Sequence, residues 1–189
     1  MSLVERAKAI LLTPQKEWPV IEAESATTAS LYTGYIIPLA AVPAVASFIG
    51  MSIFGFGGIL RVPIGTGITG AVVRYLATLA GVYVLALIID ALAPSFGGQK
   101  SRIQALKLAA YSSTASWLAG IFMIIPALGI LSIVGLYSLY LLFLGLPVMM
   151  KSPQDKSLGY TVVVILCAIV LFAIVGAVTS RMMGYGRWY

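Results

Sequence analysis

Two ionisable residues, Arg74 and Asp90, flank fifteen uncharged residues, Tyr75 to Ile89, in a stretch apolar enough to cross a membrane. A charge inside hydrocarbon costs ~2.5–3.5 kcal/mol on insertion scales, so an embedded carboxylate or guanidinium points to function unless it is paired. Sixteen residues apart on one helix, the two lie ~24 Å apart along the axis and ~160° around it, and they cannot pair with each other. Arg74 is long enough to snorkel to the interface. Asp90 is short, so it requires a partner in a salt bridge at the helix end, or a watered pocket. A second polar group is Ser112, Ser113, Thr114 and Ser116, beside Tyr111 and Trp117. These hydroxyls suit interhelical packing with local bonds to carbonyls, or contact with a substrate. A serine nucleophile would need a base, and none is near in sequence. The chain has no histidine and one cysteine, Cys167, within an apolar run where it serves as a small hydrophobe. Neither a Cys/His metal site nor His-based catalysis is possible. We therefore expect no catalytic residues, no metal and no cofactor.

What must position these groups is a set of membrane helices. Of the 189 residues 60% are hydrophobic and 10% charged, against roughly 25% charged in soluble domains. The mean hydropathy is +1.02. Continuous apolar runs exclude alternating barrel strands, so the fold class is all-α, a polytopic membrane helical bundle. Its most informative stretch is Leu108 to Met150, 43 residues without a charge. As one helix it would measure ~65 Å, twice a ~30 Å hydrocarbon core. Pro126-Ala127-Leu128-Gly129 near its middle supplies the turn, giving a transmembrane hairpin.

The other spans follow. Ser25 to Leu60 is uncharged, and its first part can span, with kinks expected at Pro38 and Pro43. FGFGGILRVPIGTGITG reads as a Gly-rich loop. Its Gly65-x-Gly67-x-x-Gly70 matches a dinucleotide pattern by chance, since no strand precedes it, and is read as a flexible lead-in to the next helix. Ala105, Ala109 and Ser113, and Ser112, Ser116 and Gly120, form two small-residue rows permitting close helix approach. The expected spans are about 30–52, 67–93, 105–125, 128–150 and 158–180, one five-helix domain over 25–189.

Residues 1–24 precede it as a cytoplasmic leader. Ser2 and Glu5 fit a capping box, and Leu3, Val4, Ala7, Ile10 and Leu11 share a face, with Arg6 and Lys8 toward the other side. Thr13-Pro14 ends this helix and starts a second turn that carries Trp18. The leader either lies on the membrane surface or packs on the cytoplasmic face of the bundle. The tail RMMGYGRWY reads as an interfacial anchor. The net charge of +6 comes from cations scattered singly between apolar runs, which fits membrane orientation and not nucleic acid. Eight Lys and Arg fall on the side of the N-terminus and three on the other, so the N-terminus is expected inside and the C-terminus outside.

The run Tyr111-Ser-Ser-Thr-Ala-Ser-Trp117, then Pro126-x-Leu-Gly129, Tyr137-Ser-Leu-Tyr140, Gly145-Leu-Pro147 and Lys151-x-Pro153, resembles the Yip family of five-helix membrane proteins related to Ypt/Rab-interacting proteins. LLTPQKEWPVIEAE resembles the short leader of its bacterial inner-membrane branch. The resemblance implies five spans with the N-terminus inside and supplies no catalytic residues. The eukaryotic relatives have much longer cytoplasmic N-termini than the two dozen or so residues that precede the first span here, so Rab-type binding is not expected. Two functions are expected from these features. The first is a non-enzymatic membrane-organising or adaptor protein, whose partners are the bilayer and other membrane proteins or itself. The alternative is a small transporter, channel or lipid-handling protein in which Arg74, Asp90 and the Ser112–Trp117 group line a polar path.

Overall fold

The structure is a computed structural model that describes residues 1–55 and 61–182; between 172 and 182, side chains are described only at 173, 176 and 177. It contains helices and turns alone among those residues. The leader is two short helices, α1 (Leu3–Leu12) and α2 (Pro14–Ala23). The capping box forms as expected: the Glu5 N–H donates to Ser2 Oγ, and the Ser2 N–H donates to the Glu5 carboxylate at 2.8 Å. Pro14 opens α2, where its missing N–H has no helical partner to lose.

The leader folds onto the bundle. Trp18, Ile10 and Ile21 are fully buried. Arg6 does not lie on an outer polar face as its helical position suggests. It is buried, and its guanidinium pairs with the carboxylates of Glu17 and Glu24. Val4, placed on the apolar face, is instead exposed.

Helix α3 runs Thr28–Phe54 and contains both prolines. Two widened π turns, Tyr32–Ile36 and Ile49–Phe54, bracket its central α-helical part. The first lies just before Pro38, where the ring would otherwise press on the carbonyl of Gly34; an extra residue in the turn relieves that clash. The next helix, α4 (Ile64–Leu92), starts earlier than expected. Gly65, Gly67 and Gly70 are its first turns and not a flexible lead-in. Gly67 has a packing reason there, since an added Cβ would sit 2.1 Å from Ser52 Oγ.

The expected third span is broken. It comprises α5 (Arg102–Ser112), α6 (Thr114–Ala119) and a 3₁₀ segment, Gly120–Ile124. The break falls at Ser113, within four consecutive hydroxyl-bearing and aromatic residues that compete for backbone carbonyls. Ser113 Oγ donates to Ala109 O at 2.7 Å and Thr114 Oγ1 to Tyr111 O at 2.7 Å. α5 is the central helix: Ala105, Leu106, Leu108, Ala109 and Ala110 are all buried. Its alanines let the neighbouring helices approach from every side.

The turn at Pro126 is where the sequence places it. Ile125 is extended, and a second 3₁₀ segment, Pro126–Leu136, leads into α7 (Tyr137–Met150). Eleven residues is long for a 3₁₀ helix, in which side chains three apart eclipse. Here that period matches the residues: Gly129, Ser132, Gly135 and Ser138 recur every third position, and the last three contact α6. Ile130, Ile133 and Leu136 are exposed on another side, from 59% to 79%. The final helix, α8 (Gln154–Met182), follows a left-handed turn at Lys151.

Four segments are long and apolar enough to cross a membrane: Thr28–Phe54, Ile64–Phe96, Pro126–Met150 and Gln154–Leu171. The broken segment 102–124 is not among them. Residues 56–60 of the expected Gly-rich loop, and the tail from 183 onward, lie outside the described residues.

Candidate functional site

Four helices and the break between α5 and α6 enclose a half-open cavity of about 590 Å³. α4 contributes Arg74, Thr78, Val82 and Leu85. The α5–α6 junction contributes Ser112, Ser113, Ser116 and Trp117. α7 adds Ser138, Leu139 and Leu142, and α8 adds Ile165 and Ala168. The volume lies within the ~300–1,000 Å³ range of small-molecule sites. Thus five of the seven residues singled out in the sequence share one wall-to-wall space, although Arg74 is 38 residues from Ser112, the nearest of the others.

The hydroxyls of that space are held in defined directions. Ser112 Oγ and Ser113 Oγ both donate to Ala109 O, at 3.3 and 2.7 Å. Ser116 Oγ donates to Gly135 O at 2.9 Å and lies 2.9 Å from Ser138 Oγ, which also accepts from the Ser116 N–H at 2.9 Å. This cluster ties the 3₁₀ segment of the hairpin to α6. Gly135 makes the approach possible, since an added Cβ would stand 3.1 Å from Ser116 Cα. Ser116 has the most partners here; Ser138, which accepts twice from it, is the member sequence reasoning overlooked within an aromatic-rich run, and its place in the period-three row was the available signal. Arg74 is exposed, and no carboxylate lies within ion-pair distance of it among the described residues.

Two of the singled-out residues stand apart. Thr114 is fully buried and its Oγ1 lies 2.7 Å from the Tyr35 hydroxyl, in a packed contact where the Tyr35 and Tyr111 rings meet at 4.4 Å. Asp90 lies two residues before the end of α4 and does not line the cavity. Its Oδ1 is buried and accepts no hydrogen bond among the described residues. Beside it, the Tyr160 hydroxyl donates to Ile89 O while the Tyr160 ring stacks on Phe96 at 4.8 Å. Among the described residues no salt bridge forms there.

A second polar centre, absent from the sequence reading, joins the leader to the bundle. Lys107, buried on α5, donates from Nζ to Ile21 O at 2.8 Å and to the carbonyls of Glu22 and Glu24. Gln104 Nε2 adds a bond to Glu22 O at 3.0 Å, and Lys151 pairs with the Glu22 carboxylate at 2.8 Å. These donors satisfy the carbonyls left open at the C-terminus of α2 and place cations at the negative end of its dipole. At Arg6, burial works against the charge. The hydrogen bond that Arg6 donates to Glu24 and the charges of Glu24 and Glu17 outweigh it and move the guanidinium pKa above its ordinary value.

The cavity can offer one positive charge, several hydroxyls and apolar walls; nothing lining it accepts a proton at neutral pH. Among the described residues there is no group of three or more His, Cys, Asp or Glu that could hold a metal. The chain matches the Yip1 domain over residues 8–176. It belongs to the Yip1 domain family. Two similar proteins, both called inner membrane protein YohC, come from Escherichia coli strain K12 and strain O6:H1. Each is 29% identical over 181 residues, 92% of this chain and 93% of the relative. No solved structure matches the chain. With several apolar helices of spanning length and these relatives, this Yip1-domain chain is a multi-pass inner-membrane protein.

Proposed function

We propose that the protein is a five-span, non-enzymatic organiser of the inner membrane, acting by association with other membrane proteins or with its own copies. The fifth crossing in this reading is the broken segment 102–124. Seventeen α-helical residues and five 3₁₀ residues reach ~36 Å, enough for a ~30 Å core. An odd number of spans puts the termini on opposite sides. The excess of Lys and Arg on the N-terminal side supports N-inside and C-outside.

The observation that carries the non-transport reading is the separation of Asp90 from the serine-lined cavity. A path for a proton or cation needs successive polar stations. Here the one membrane-embedded carboxylate and the hydroxyl cluster do not share a space. The absence of acid, histidine or cysteine from the cavity lining supports a non-catalytic role in the same way. Purified protein reconstituted in liposomes tests this reading. Ion flux and lipid scrambling equal to those of protein-free vesicles are expected. Flux that Asp90→Asn or Arg74→Ala abolishes would overturn it in favour of a transport path.

A further inference from the structure

We propose that the cavity between α4, α6, α7 and α8 binds an anionic phospholipid, with the phosphate held by Arg74. The inference goes beyond the organiser role and rests only on the chain crossing a membrane. Ile64–Phe96 is a 33-residue helical segment, ~50 Å long, so its centre is near residue 80. Arg74 is six residues, ~9 Å, from that centre, inside the ~15 Å half-thickness of the hydrocarbon. No carboxylate of the described residues pairs with it. With no carboxylate beside it, the long Arg74 side chain reaches from that depth towards the interface, where the anion it meets is a lipid phosphate, and a phosphodiester suits its bidentate fork.

The cavity selects further. Ser113 and Ser138 place hydroxyls on the same space as Arg74, while Leu139, Ile165 and Ala168 make an apolar wall on the other helices. An occupant must therefore combine an anion with hydrocarbon, which a soluble anion does not. No Asp or Glu lines the cavity to meet the ammonium of a zwitterionic headgroup, so a net negative headgroup is favoured over a choline-bearing one. Exposed Leu166 and Ile169 continue the apolar surface along α8, where acyl chains can leave the cavity.

Native mass spectrometry of the full chain, in mild detergent with equimolar phosphatidylglycerol and phosphatidylcholine, tests the proposal. The wild type is expected to retain phosphatidylglycerol in preference by about tenfold or more, because both lipids carry the phosphate but only phosphatidylcholine brings a second cation beside Arg74 with no carboxylate to meet it. Arg74→Gln should remove the preference, and Lys100→Gln, an exposed cation outside the cavity, should leave it. Ala168→Phe, which fills the cavity and keeps Arg74, should also remove it. Millimolar inorganic phosphate should not displace the lipid. Equal retention of both lipids, a preference untouched by Arg74→Gln or by Ala168→Phe, or displacement by phosphate would each overturn the assignment. Flux in liposomes leaves it standing, so the two readings fail independently.

Discussion

The indole of Trp18 occupies the space that a side chain at Gly145 would fill: a Cβ at that glycine would lie 2.5 Å from Trp18 Cε2 and 2.7 Å from Leu108 Cδ1. This contact docks α2 on α7 and makes the leader part of the bundle. Replacing Gly145 with Ala overpacks the joint, and such changes typically cost about 1–3 kcal/mol. Gly145→Ala is expected to lower the thermal midpoint in detergent and shift tryptophan emission to longer wavelength as Trp18 becomes wet. An unchanged midpoint and spectrum would show that the leader does not depend on this contact.

Arg6 and Glu17 are a second anchor, with side chains only 7% and 9% exposed. Removing one partner of a buried pair leaves an uncompensated charge, at about 3–5 kcal/mol. Glu24 is 45% exposed, so its share is far smaller. Arg6→Ala should therefore release the leader, and trypsin should cut at Lys8 and Lys16 much faster than in the wild type. Glu24→Gln should change the cleavage rate little. Equal protection of the Arg6→Ala leader would contradict the anchoring role.

The hairpin's 3₁₀ segment gives a period that can be measured directly. Spin labels at successive positions from Ile130 to Leu136, on a Cys167→Ala background, should show lipid-oxygen accessibility maxima at 130, 133 and 136. A maximum pattern drifting with a period of 3.6 would mean an ordinary α-helix there.

These features differ in how far the residues alone announce them. The Ser2–Glu5 cap and the turn at Pro126 depend on neighbours a few positions apart, so both were readable. The 3₁₀ conformation is also written locally, in the period of three of Gly129, Ser132, Gly135 and Ser138, which a helical period of 3.6 passes over. Helical spacing puts Arg6 on the outer face, because spacing reports direction and not what another segment brings to meet it. Its partners Glu17 and Glu24 lie beyond a turn. Similarly, the shared cavity of Arg74 and Ser138 is a tertiary fact, and no spacing between residues 64 apart encodes it. The break at Ser113 stands between these cases: the hydroxyl run is legible as a polar patch, while its competition for carbonyls within α5 decides the helix end.

The five-crossing, N-inside arrangement is tested most directly by labelling single cysteines in intact cells with a membrane-impermeant maleimide. Cys167 is replaced by Ala, and one cysteine is placed at Ser2 or at Tyr189. The account predicts labelling at 189 in intact cells and at 2 only after the inner membrane is permeabilised. Both positions reacting under the same condition would mean an even number of crossings and would contradict the role given to segment 102–124.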